Sequence, residues 1–181
     1  MNRRAFLAGG FAALMAGVPG ATVAQARPDA SGGLVDHLGR PFDRSRLAGR
    51  WTLLTFGFTQ CSSTCPVSMR VAHELLELLD PAARPTVVLV TLDPLADTPQ
   101  RLRAYLRAFD ERLVGVTGDP SAIERAVQTF RVGVRRPEQA PLEHSAVWYL
   151  LGPDARVART FSYSTPAAKL AAEVLALQKQ G

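Results

Sequence analysis

Cysteine is nearly absent from this chain. Only Cys61 and Cys65 occur among 181 residues. Two sulfurs are too few for an iron–sulfur cluster within one chain. Histidine is scarce as well, at His37, His73 and His144, so a structural zinc site with four protein ligands has little to draw on. The formal charge is +5, yet no Lys/Arg block is interleaved with aromatic residues. Nucleic-acid binding is therefore not expected. There is no internal repeat and no low-complexity tract. The apolar run from Ala5 to Val18 is shorter than the roughly 20 residues a bilayer span requires.

What is present describes a globular chain. Hydrophobic residues make up 47% of it, and the length suits one domain. The opening "MNRRAFLAGGFAALMAGVPGATVAQA" reads as an export signal over residues 1–26. It has a basic start, an apolar stretch, Pro19, and the small-residue end "AQA". "NRRAFLA" resembles a twin-arginine signal, which exports folded proteins. The expected mature chain starts at Arg27 and is periplasmic. An uncleaved signal would leave it associated with the inner membrane. No cysteine stands near the cleavage site, so a lipoprotein is not expected. Residues 27–33 read as a linker and 34–181 as one folded domain.

Within that domain, "LVDHLGRPFD" suggests an N-terminal hairpin turning near His37 to Gly39. "WTLLTFGF" is nearly continuous in apolar residues, as a central strand buried on both faces would be. The cysteine loop follows. Pro66 suits the first position of a helix, with Val67, Val71, Leu75 and Leu78 at helical spacing. "TVVLVTL" and "LVGVT" read as further strands. Asp97 or Thr98 can cap a helix opening at Pro99. Ser121 and Glu124 have capping-box spacing. "SAVWYLL" and "RVARTF" flank the turn signal "GPDA" as an antiparallel hairpin. "STPAAKLAAEVLALQKQ" reads as a closing, capped amphipathic helix. The order β-α-β-α-β-α-β-β-α predicts an α/β fold of thioredoxin-like layout, a mixed central sheet flanked by helices on both faces.

The cysteines stand where the first core strand meets its helix. As a pure staple, a disulfide closing so short a loop contributes about 2 kcal/mol at best. Helix N-terminal N–H groups and the helix dipole favour thiolates. Both sulfurs are expected to be accessible in a βα loop at the carboxyl end of the strands. Thiolates are soft ligands, and copper accepts few of them. Zinc held by two cysteines, a histidine and water stays compatible. His37 reads as a solvated turn residue. His73 reads as an exposed helix position about 12 Å along the axis from Cys65. His144, on the loop entering a late strand, faces the cysteine loop in such a sheet.

"FGFTQCSSTCP", "VTLDPLADTPQRLRAYLRAF", "LVGVTG" and "LEHSAVWYLL", in this order, resemble the Sco/SenC family of copper proteins. The resemblance runs from Leu34 to Phe161. It implies a thioredoxin fold binding one copper ion, Cu(I) or Cu(II), through Cys61, Cys65 and His144. It implies a metallochaperone or assembly factor for the copper A centre of cytochrome c oxidase. The partners would be the copper-accepting oxidase subunit, or another periplasmic copper protein, and a thiol reductant. Two departures stand out. Many members carry proline and an acidic residue between the cysteines, where this chain has Ser62, Ser63 and Thr64. Leu95 and Ala96 replace a usual charge in the "DPxxDTP" element. Asp93 and Asp97 read as turn and cap residues rather than ligands. The alternative function is a periplasmic thiol–disulfide oxidoreductase using Cys61 and Cys65 as a redox pair. A thiol peroxidase lacks its Thr-x-x-Cys pattern here.

Overall fold

The computed structural model describes residues 32–137 and 142–180. The expected export signal and most of the linker lie outside these residues. Strand β2 (Thr52–Gly57) is buried along its whole length, as its apolar run predicts. Its neighbours are β3 (Thr86–Thr91) in parallel and β7 (Val147–Leu151) antiparallel. Beyond β3 comes β4 (Val114–Gly118), also parallel, and then the short β1 (Leu34–Asp36), antiparallel to β4. Beyond β7 comes β8 (Val157–Ser162), antiparallel. The six strands run β1-β4-β3-β2-β7-β8. A separate two-stranded ribbon pairs β5 (Val134–Arg135) with β6 (Glu143–His144).

Alternation along the strands divides the core into two layers. Leu53, Val87, Leu89, Trp148 and Leu150 face one side and pack against three helices, α1 (Thr64–Leu78), α2 (Pro99–Arg107) and α4 (Ala167–Gln178). Leu54, Phe56, Val88, Val90, Tyr149 and Leu151 face the other side. There they meet α3 (Pro120–Thr129) and the segment carrying Phe42 and Leu47. No described helix is long and apolar enough to cross a membrane.

Several local expectations are revised. The N-terminal hairpin is only partial: β1 finds its ladder on β4, and the returning arm makes a single bridge, Val35 to Pro41. His37 is not a solvated turn residue, because its Nδ1 accepts the Gly115 N–H at 2.9 Å. The buried face of α1 carries Met69, Ala72, Leu75 and Leu76. Leu78 is exposed, while Val71 is half-buried against the same cluster. Asp119 is the N-cap of α3 with no side-chain cap bond, so the Ser121–Glu124 box does not form. Helix α4 likewise lacks a side-chain cap. Thr98 does cap α2, its hydroxyl accepting from the Arg101 N–H.

Candidate metal and thiol site

Cys61 lies in the loop between β2 and α1, and Cys65 lies in the first turn of α1. Pro66 is thus the third helical residue rather than the first. The placement tucks Cys65 under the sheet: it is only 3% exposed, while Cys61 is half-buried. The expectation of two accessible sulfurs therefore holds for Cys61 alone. Gly57, the last residue of β2, makes the tuck possible. A Cβ there would stand 2.7 Å from the Cys65 Sγ and 3.1 Å from Leu89 Cδ1, closer than atoms pack.

His144 reaches the same place from the opposite side. In the β5–β6 ribbon it pairs with Val134. Next to it, Ser145 donates its N–H to the Gly133 carbonyl at 2.8 Å, and its hydroxyl accepts the Gly133 N–H at 3.0 Å. The imidazole Nδ1 lies 3.1 Å from the Ser145 carbonyl. A proton on Nδ1 donates to that carbonyl and leaves the Nε2 lone pair free, the arrangement that suits a metal-binding histidine. Nε2 is 4.0 Å from the Cys65 Sγ. The Phe58 ring meets the imidazole edge-on, with centroids 6.1 Å apart.

The two thiols have opposite acidities. Burial alone would raise Cys61. The Thr64 hydroxyl, 3.5 Å from its sulfur, and the N–H groups of Cys65 and Ser63 outweigh that and bring it down to about 6. Burial also pushes Cys65 up, here to about 12; the Phe58 N–H opposes the rise, while the neighbouring Cys61 adds to it. The helix N-terminus therefore activates one sulfur, and burial silences the other.

The remaining candidates separate cleanly. His73 Nδ1 lies 2.9 Å from Asp110 Oδ2, on the far part of α1. His73, Glu77 and Asp110 form the one group of three described His, Cys or carboxylate ligands lying within 4.8 Å of one another. Arg112 pairs with both carboxylates there, so that cluster is an ion-pair network. Cys61, Cys65 and His144 do not all lie within 4.8 Å of one another. Asp93 remains a turn residue, its carboxylate accepting from the Ala96 N–H at 3.4 Å. Asp97 is not the cap of α2. It is fully buried and binds Thr59 and Thr91, a role the residue order did not reveal. Gly57 was also missed, although the quoted "FGFTQC" places it four residues before the first cysteine.

Comparison with known proteins bears on the family and the fold. The SCO1/SenC family model matches residues 24–179. An SCO2-like protein of Rickettsia conorii is 32% identical over 71% of this chain and 66% of its own length. The mitochondrial SCO1 homolog 1 of Arabidopsis thaliana is 31% identical over 64% of this chain and 36% of its own. The chain thus spans about two thirds or less of the length of these curated relatives. Among solved structures, copper-bound ScoI of Bradyrhizobium japonicum superposes with a TM-score of 0.72 at 29% identity, covering 80% of this chain and 95% of that one. The fold is the thioredoxin-like one that the strand and helix order predicts.

Proposed function

Since this chain belongs to the SCO1/SenC family, we propose that it binds one copper ion through Cys61, Cys65 and His144 and hands it on as cargo. The carrying observation is the meeting of the Cys65 Sγ and His144 Nε2 at 4.0 Å, with the acidic thiol of Cys61 in the loop four residues before Cys65. The donor set fits the ion. Two soft sulfurs satisfy Cu(I), and the imidazole supplies the nitrogen that Cu(II) prefers. Seating copper on both sulfurs replaces their protons, and the proton on His144 Nδ1 can stay on the Ser145 carbonyl throughout. The role that fits such a site is maturation of the copper A centre of cytochrome c oxidase. The acceptor would be the copper-accepting oxidase subunit or another periplasmic copper protein.

The test is an anaerobic titration with Cu(I) and with Cu(II). Wild type takes up one equivalent of either ion. His144→Ala loses or alters the sulfur-to-copper absorption of the Cu(II) form and keeps much of the Cu(I) affinity. Cys61→Ser and Cys65→Ser each weaken both forms, because a hydroxyl is neither soft nor ionised near neutrality. Equal copper affinity in wild type and the double cysteine variant overturns the assignment.

A second reading has its own observation. One activated, half-buried thiol beside one buried, weakly acidic thiol is the arrangement of an attacking and a resolving sulfur. As a thiol–disulfide oxidoreductase the chain would reduce target cysteines by exchange, and a thiol reductant would restore it. Insulin reduction by metal-free protein, with no copper uptake in the titration above, would favour this reading.

The site belongs in an oxidising compartment, consistent with residues 1–26 acting as a twin-arginine export signal and the mature protein starting at Arg27. Contact with the membrane would come only through an uncleaved signal or the oxidase. Replacing Arg3 and Arg4 by lysine should block export; normal export of that variant rejects the twin-arginine route.

A further inference from the structure

Asp97 is fully buried, in the loop between β3 and α2. Its Oδ1 accepts the Thr59 hydroxyl at 2.5 Å. Its Oδ2 accepts the Thr59 N–H at 3.0 Å and the Thr91 hydroxyl at 2.6 Å. Arg101 Nε donates to the Thr59 Oγ1 at 3.0 Å, which closes the network from the surface side. Burying a carboxylate is costly unless donors surround it. A helix whose cap is already supplied by Thr98 gives no reason for that cost.

The reason lies in which peptide is held. The N–H that Asp97 accepts belongs to the peptide unit joining Phe58 to Thr59. The carbonyl of that same unit accepts the Cys61 N–H at 3.2 Å. One peptide plane thus joins the buried carboxylate on one edge to the backbone of Cys61 on the other. A peptide unit is rigid, so fixing its N–H fixes its carbonyl. The hydroxyl of Thr91, at the end of β3, gives the same carboxylate a further bond that is separate from the two made by Thr59.

We propose that Asp97 is a positioning residue for the cysteine pair, clamping the Phe58–Thr59 peptide so that Cys61 and Cys65 are held at bonding distance from a shared partner. That partner is a copper ion in the function proposed above, on which this part of the inference rests. In the metal-free protein it is each other. Without the clamp the loop samples other orientations, and the effective concentration of one sulfur at the other falls.

The test compares Asp97→Ala with Thr91→Val. Both remove hydrogen bonds of the same buried carboxylate, and both lower the thermal midpoint. Only the first releases the Thr59 peptide. Purified metal-free protein is equilibrated with glutathione and glutathione disulfide. One glutathione disulfide takes up two electrons and two protons as Cys61 and Cys65 join, releasing two glutathione molecules. Asp97→Ala should lower the equilibrium constant for this bond by roughly tenfold, and Thr91→Val should leave it within about twofold of wild type. In the Cu(II)-loaded protein, Asp97→Ala should shift or weaken the sulfur-to-copper absorption, and Thr91→Val should preserve it. Should Asp97→Ala not fold, the near-isosteric Asp97→Asn carries the same comparison, because its amide offers one acceptor oxygen to three donors and turns an NH2 group toward the rest. An unchanged glutathione equilibrium in a folded variant overturns the proposal. If wild type binds no copper, the copper reading fails, and the glutathione equilibrium still decides the clamp.

Discussion

At the scale of single residues, two small features set the chemistry of the cysteine pair. The first is the missing side chain of Gly57. Because an added Cβ would lie 2.7 Å from the Cys65 Sγ, Gly57→Ala must push that sulfur off its seat or bend β2. We expect a loss of about 1–3 kcal/mol, the usual cost of overpacking a dense core, read as a lower urea midpoint. Copper affinity should fall with it. The second feature is the split acidity. With Cys61 at about 6 and Cys65 at about 12, the thiolate of Cys61 forms as the pH rises through about 6. Iodoacetamide should modify Cys61 at neutral pH with a rate that levels off above about pH 7. Cys65 should stay unmodified until strongly alkaline pH. Peptide mapping checks this, and equal labelling of both at neutral pH contradicts it. Neither feature is legible from residue spacing. Gly57 needs the packing distance to a sulfur eight residues away, and the split needs to know which cysteine is buried.

At the scale of elements, the motif order predicts the strands and helices well, and the ends less well. The strands β2, β3 and β4 run through buried space on both faces, so their apolar runs are unambiguous. Helix starts depend on one or two hydrogen bonds, and several residues compete for them. Thr98 wins at α2, with Pro99 in the first position. Thr98→Ala should lower stability by about 1 kcal/mol, measured by urea denaturation, without altering copper uptake. At α3 the expected Ser121–Glu124 box loses to Asp119, whose backbone carbonyl takes the first helical N–H groups. The two-residue strands β5 and β6 are too short to carry a pattern. Yet they place His144, through the Ser145–Gly133 pair of bonds.

For the molecule as a whole, two buried or nearly buried aspartates link stability to pH. Burial would raise Asp36, but the Arg40 side chain and the N–H groups of Arg40 and Leu38 outweigh it and hold the carboxyl below its usual range. The Arg112 guanidinium, with His73 behind it, does the same for Asp110 against its burial. A depressed carboxylate binds fewer protons folded than unfolded. Its stabilisation is therefore complete above the unfolded value of about 3.9 and is lost as the pH falls below it. The urea midpoint should be insensitive to these groups between about pH 5 and 7 and drop below about pH 4. In Asp36→Asn that acid limb should flatten while the midpoint at neutral pH falls. An acid limb as steep as that of wild type removes Asp36 from the account.

The residue order by itself determined the α/β class, the strand sequence, the family likeness, and the choice of Cys61, Cys65 and His144 as a candidate set. These depend on periodicity and on scarce residue types at fixed spacing, which a linear string records. Tertiary structure alone decided that Cys65 is buried and Cys61 is not, that His144 points Nε2 toward the sulfur 79 positions earlier in the chain, and that Asp97 grips the cysteine loop rather than capping a helix. Each of those is a contact between segments brought together by the sheet. Its strength depends on distances and exclusion of water that no local pattern encodes.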